Sequence, residues 1–322
     1  MKPNQNTAIL KRTTTVIGGL AILSTALATG PPAHASPTGS TPQATAQATV
    51  CGIKIGEVTA AGGLVATNYA ATRPPTQTAY QWGPSGLYPP GKARLASFID
   101  FRDANERQVL GYVTLGDAMY FSTYFASASG DLDPEAGPPT LTRVGGGWAN
   151  YTAFDVSRWA NSTSHRTSAY AVRNDGVLSR WTIDDNGAWR NRWSYAGLKG
   201  VKSIAVISKT ATYDTLLANT VTGVLKTIRI PVSTSLRPVI KTVRSGTWQG
   251  FESLIATKCG TSGTLLLGID KDLQKGYLYA VGHATGTSTV IQSIGLVPAI
   301  RFYSPMYFRW GVPAMDDPMN GE

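Results

Sequence analysis

The sequence predicts an all-β chain built from repeated four-stranded units, and three observations carry that prediction. Glycine and proline are frequent, 34 and 19 among 322 residues, and they punctuate runs rich in Val, Ile, Thr and Tyr. These runs fall into hairpin pairs around Gly-containing turns. The pairs recur at a spacing of roughly 50 residues, the size of a four-stranded repeat. A long coiled coil is excluded, because it needs Ala, Glu, Lys and Leu at helical period. A hydrophobic content of 42%, with Tyr and Trp throughout, excludes a wholly disordered chain.

Residues 1–35 read as a secretory signal. Lys2, Lys11 and Arg12 precede an apolar stretch from Val16 to Ala28, and Ala33-His34-Ala35 supplies a small-residue cleavage site. The stretch is short for a bilayer span; the alternative is a single N-terminal anchor. The mature chain is therefore expected to be secreted and extracellular, with no membrane contact after cleavage. Residues 36–50 are almost entirely Ser, Thr, Pro, Ala and Gln and should form a flexible leader. Residues 51–322 are expected to form a single domain.

Removing the signal leaves 26 basic and 19 acidic residues, a net charge of +7. The surplus is scattered, whereas a nucleic-acid binder concentrates its charge in a stripe, so no nucleic-acid partner is expected. The two cysteines, Cys51 and Cys259, face an oxidising compartment, and one disulfide is the default expectation. Two free thiols are the alternative.

Repeat starts lie near residues 96, 151, 201, 251 and 297. Ser97 to Phe101 matches Thr152 to Val156 at an offset of 55, Val201 and Ile204 follow, then Phe251 and Leu254, then Val297, Ile300 and Phe302. A hairpin follows each of the first four starts. Val109–Leu115 meets Ala118–Ser122 across Gly116-Asp117, and Ser168–Val172 meets Val177–Trp181 across Asn174-Asp175-Gly176. Such residues supply the positive φ that a tight turn requires. Thr215–Asn219 with Val224–Ile230, and Thr264–Ile269 with Tyr277–Val281, continue the pattern. Pro238–Val243 and Ser288–Ile294 read as closing strands. The last start has too few residues after it for four strands. Gly52–Val58 and Leu64–Ala70 are strand-like and lie outside the other units, so they can complete the final sheet. The expectation is a five-bladed β-propeller whose last blade is closed by the N- and C-terminal segments. That closure would bring Cys51 near Cys259; a solenoid, the alternative architecture, would not.

The segment Val144-Gly145-Gly146-Gly147-Trp148-Ala149-Asn150-Tyr151, continuing to Val156 and then Ala169-Tyr170-Ala171-Val172, resembles a blade of the tachylectin family. Gly246-Thr247-Trp248-Gln249-Gly250-Phe251 matches in part, and Gly197-Leu198-Lys199-Gly200-Val201 lacks the tryptophan. The resemblance covers residues 95–302. It implies a five-bladed propeller lectin with amino-sugar sites between blades.

Other chemistry finds less support. No G-x-S-x-G or H-E-x-x-H pattern occurs, and His165 and His283 lie among Thr, Ser and Gly. Asp131 and Asp133 alternate as in a calcium loop, but Thr142 stands where a bidentate Glu is needed. No metal and no cofactor are expected. Asp100 and Asp155 occupy matching positions at the offset of 55, so they are the candidate acid pair of a propeller glycoside hydrolase. The favoured function is instead carbohydrate binding without catalysis, with a polysaccharide or glycan, an amino sugar among them, as partner. Gly147, Trp148, Asn150, Trp248 and Gln249 are the candidate ligand-binding residues, because indole faces stack on sugar rings and amides orient hydroxyls. A protein-binding extracellular scaffold is the remaining alternative.

Overall fold

The computed structural model describes residues 50–102, 106–233, 237–298 and 302–322. The expected signal and almost all of the expected leader lie outside the described residues. Among the described residues, all regular structure beyond two single 3₁₀ turns is β-strand, and no helix there is long and apolar enough to cross a membrane.

The strands form antiparallel meanders. β4 (Ala93–Arg102), β5 (Arg107–Leu115), β6 (Ala118–Phe125) and β7 (Thr140–Gly146) pair in sequence order. So do β8 (Tyr151–Ala160), β9 (His165–Arg173), β10 (Leu178–Ile183) and β11 (Trp189–Tyr195). The third meander is β12 (Val201–Lys209), β13 (Tyr213–Thr220), β14 (Leu225–Pro231) and β15 (Val239–Arg244). The fourth is β16 (Ser253–Cys259), β17 (Gly263–Asp270), β18 (Lys275–Val281) and β19 (Ile291–Leu296). At the chain ends, β20 (Met306–Gly311) pairs antiparallel with β1 (Gly52–Val58), followed by β2 (Leu64–Ala70) and β3 (Thr76–Trp82). A short parallel contact, Trp310 and Gly311 with Phe98 and Ile99, joins β20 to β4, so these eight strands are continuously hydrogen-bonded.

The first strands close a ring. β4 lies against β8, β8 against β12, β12 against β16, β16 against β20, and β20 against β4. This is the plan of a β-propeller. Successive residues of one strand feed different cores: Leu216 of β13 packs with Ile204 and Val172, while Leu217 packs with Ala205 and Trp248. Both faces of such middle strands are thus buried, which is why Leu265, Leu266 and Leu267 of β17 form an apolar run rather than an alternation. The Cys51–Cys259 disulfide joins the residue preceding β1 to the last residue of β16.

Three expectations need correction. The last inner strand begins at Met306, not near Val297. Val297 and Phe302 are buried in the connection before it, and Ile300 lies outside the described residues. The expected closing strand at Ser288 begins at Ile291, because Gly286–Ser288 makes a 3₁₀ turn. Asp100 and Asp155 are not at matching positions. The amides of Gly116, Asn174 and Val221 donate to the carbonyls of Lys92, Asn150 and Gly200, which makes those three carbonyls equivalent. The β4-to-β8 offset is therefore 58, from Ala93 to Tyr151. The long connection between β6 and β7 causes the difference. Asp155 then aligns with Ser97, whose hydroxyl it meets at 3.4 Å, while Asp100 lies three residues further on, facing the other side of its strand.

Candidate functional site

One pocket is built around the turn between β7 and β8. Gly147 takes φ 81°, a left-handed conformation that glycine adopts without strain. Asp117, in the β5–β6 turn, fastens the turn from one side. Its carboxylate accepts the amides of Gly147 at 3.2 Å and Ala149 at 2.7 Å, and its carbonyl accepts the Trp148 amide at 3.0 Å. Those amides of Ala149 and Gly147 hold the Asp117 carboxyl below its ordinary range. From the other side the Arg94 guanidinium donates to the carbonyls of Ala149 at 3.1 Å and Tyr151 at 2.8 Å. The turn is held at both ends.

Between this turn and the β8–β11 sheet lies a cavity of about 400 Å³. Gly145, Gly146 and Gly147 form one wall; Trp181 and Trp189, with Arg173 and Arg192, form the other. A side chain at Gly145 or Gly147 would meet no heavy atom within 4 Å, so the backbone there is open to a ligand. The rings form one cluster: Trp148 is 4.6 Å from Tyr151 and 5.6 Å from Trp181, and Trp181 is 5.3 Å from Trp189. Trp148 is only 5% exposed and belongs to the core with Phe154 and Val156. The sequence suggests that Trp148 offers a free face; the indoles that stay half-buried at the cavity are instead those of Trp181 and Trp189. Asn150 is exposed, and its amide makes no side-chain hydrogen bond among the described residues, leaving donor and acceptor free.

Trp248 and Gln249 occupy the matching turn before β16. Trp248 is 5% exposed and packs 5.0 Å from Tyr279 and 5.4 Å from Phe251. Buried Asn219 donates to the carbonyls of Trp248 at 2.9 Å and Phe251 at 2.7 Å. Gln249 is exposed. The two turns lie in different clefts, so these residues do not share a cavity with Trp148.

The two carboxylates of the acid-pair reading differ in environment. Burial opposes ionisation of Asp100, but hydrogen bonds from Arg107, Arg102 and Lys54 outweigh it and hold the carboxyl well below its ordinary range. Asp155 sits in the wall of a small central cavity of about 140 Å³ whose lining does not include Asp100. Burial pushes the Asp155 carboxyl up, although it accepts the amides of Val206 at 2.9 Å and Val156 at 2.8 Å. In that position it ties β8 to β12.

Trp181, Trp189, Arg173 and Arg192 were not among the site candidates. Period-2 alternation would not have found them: Trp189 and Arg192 are three residues apart and share the cleft only because β11 bulges at Asn191, which takes φ 50°, while Arg173 ends β9.

No known protein family matches the sequence, and no curated protein matches it. Among solved structures, the chain is similar in path to the fungal lectin of Aleuria aurantia, a six-bladed β-propeller with a fucose recognition mode, at 12% identity and a TM-score of 0.48. That match covers 76% of this chain and 77% of the lectin. It is also similar to the SapL1 lectin in complex with α-methyl fucoside, at 10% identity and a TM-score of 0.37, over 76% of this chain and 96% of that one. A GH43_1 enzyme from Xanthomonas citri matches at 8% identity and a TM-score of 0.37, over 64% of this chain and 74% of the enzyme.

Proposed function

We propose that this protein is a secreted five-bladed β-propeller that binds carbohydrate at the Gly145–Tyr151 turn and has no catalytic step of its own. Five blades are supported by the cores. One buried cluster, including Val58, Leu64, Phe98, Val109 and Phe308, lies between β1–β2 and β4–β6. Strands with a core between them are stacked, so the eight hydrogen-bonded strands divide into two blades whose strand pairing is confined to Trp310 and Gly311 with Phe98 and Ile99. Four further clusters fill the four remaining clefts. Secretion after removal of residues 1–35 is supported by the disulfide, which belongs to oxidising compartments.

One observation carries the binding function: a cavity with two half-buried indoles, an open glycine backbone and an unengaged amide on a turn fixed at both ends. A pyranose ring has apolar faces for the indoles and a rim of hydroxyls for Asn150 and the backbone. The aromatic cluster beneath keeps the walls rigid, so little ordering cost falls on binding. A glycan array probed with the purified protein tests the reading. Saturable binding to a saccharide class without release of reducing sugar from arabinan, xylan or chitin is the expected result. Sugar release abolished by Asp155→Asn would replace it with the hydrolase reading. Absence of both would replace it with a protein-binding scaffold.

A further inference from the structure

We infer that the saccharide taken by this pocket is acidic, a hexuronate, and that the Arg192 guanidinium receives its carboxylate. The inference rests on the carbohydrate reading above and narrows its ligand class.

The charge of the pocket carries the argument. Its lining holds two arginines and no carboxylate. The acids next to it are already engaged: Asp117 by the amides of Gly147 and Ala149, and Asp175 by Arg173 and the Val177 amide. Arg173 is thereby neutralised. Arg192 is not. It is exposed, forms no ion pair among the described residues, and reaches only the Ser179 hydroxyl at 3.4 Å and the Tyr151 hydroxyl at 3.5 Å. Those distances are at the outer limit of a hydrogen bond. A guanidinium carries five N–H donors in a rigid fork, so most of the donors of Arg192 have no acceptor on the protein. The side chain is nevertheless positioned, because its guanidinium lies 5.7 Å from the centre of the Trp181 ring. That cation–π contact holds the guanidinium at the cavity, and a planar fork matches a carboxylate bidentately.

A hexuronate fits each part of this surface. Its apolar face has the half-buried Trp189 to pack against beside the Trp181 ring that Arg192 covers, its hydroxyls have Asn150 and the open backbone of Gly145 and Gly147, and its equatorial carboxylate projects from the ring edge towards Arg192. A neutral sugar offers the same ring and hydroxyls and leaves the cation with neutral acceptors only. The net charge of +7 left after removal of residues 1–35 attracts any polyanion from a distance. That attraction is not selective, whereas one unpaired fork beside two half-buried indoles is.

The test compares binding to immobilised polygalacturonate with binding to the same polymer fully methyl-esterified, which keeps the sugar and masks the carboxylate. Chitin, a sulfated galactan and polyglutamate complete the panel, at physiological ionic strength. The expected result is that polygalacturonate binds at least about tenfold tighter than its ester, equivalent to about 1.4 kcal/mol. Arg192→Gln should erase that difference while leaving the melting temperature unchanged, and Arg192→Lys should restore only part of it. Equal binding of acid and ester, or a preference that survives Arg192→Gln, overturns the inference. So does polyglutamate or sulfated galactan held as tightly as polygalacturonate, since charge alone would then explain retention. Binding confined to chitin or the ester overturns the acidic ligand and leaves the carbohydrate reading in place. Failure of every saccharide to bind overturns both.

Discussion

Trp148→Ala separates the two roles a tryptophan can have in a propeller cleft. The residue is 5% exposed and touches Tyr151, Phe154, Trp181 and Trp189. Folding therefore removes nearly the whole indole from water, about 200 Å². At about 25 cal/mol/Å² this amounts to about 5 kcal/mol, and measured truncations of buried Trp or Phe to Ala cost about 3–5 kcal/mol. A loss of about 4 kcal/mol is expected, which for a domain of this size lowers Tm by about 12 °C. Thermal unfolding followed by circular dichroism gives the shift, and saccharide binding is measured well below the new midpoint. Trp181→Ala is the comparison. Its half-buried ring should lose about half as much stability while binding falls at least as far. A Trp148→Ala protein that keeps its Tm within about 3 °C yet no longer binds would refute the reasoning, because Trp148 would then be a platform for ligand and not the floor beneath one.

Three further outcomes follow from the same contacts. Cys259→Ser should lower stability by a few kcal/mol, below the upper value of about 5 kcal/mol for a loop of 208 residues; reductant should lower the Tm of the parent protein to that of the variant and leave the variant unmoved. Asp155→Asn should cost about 1–3 kcal/mol in urea unfolding, because an amide nitrogen would face one of the two amides the carboxylate now accepts, and saccharide retention should not change. Burial lowers the Lys209 pKa to about 8 despite its ion pair with Asp317. Between about pH 8 and 10.5 the unfolded chain then holds more protons at this lysine than the native one, so this group adds stability as pH rises and loses it as pH falls through 8. Lys209→Met should remove that slope, read as the difference in unfolding free energy between variant and parent across the window; an unchanged slope would refute the assignment.

Local structure was legible because its causes are local. Gly52–Val58 and Leu64–Ala70 were read to the residue, since strand composition bounded by glycine and turn residues decides such elements. The Asn174-Asp175-Gly176 turn announced the β9–β10 hairpin through the positive φ of Gly176. β3 was missed: Thr76–Trp82 is an outer strand, mostly exposed, and shows no apolar alternation. The last inner strand was misplaced because Val297 and Phe302, buried in a connection, carry the same apolar signature as a strand. The offset of 55 between Asp100 and Asp155 matched side-chain types, and nothing in residue types records how the long β6–β7 connection shifts the register.

The sequence by itself determined most of the strands, their hairpins, the grouping in fours of the contiguous units, and the turn at Gly145 to Tyr151, since each depends on residues within one unit. It also supplied the two cysteines whose pairing the return of the chain makes possible. Only the tertiary structure decided what surrounds the turn. Trp181, Trp189 and Arg192 sit on the outer strands of the next sheet and reach Gly145 to Gly147 because two sheets pack across a cleft. The same packing buries Trp148 and leaves Arg192 without a carboxylate. Strand periodicity assigns a side chain to a face, but which neighbouring sheet that face meets, and at what register, is set by packing between units far apart in the chain.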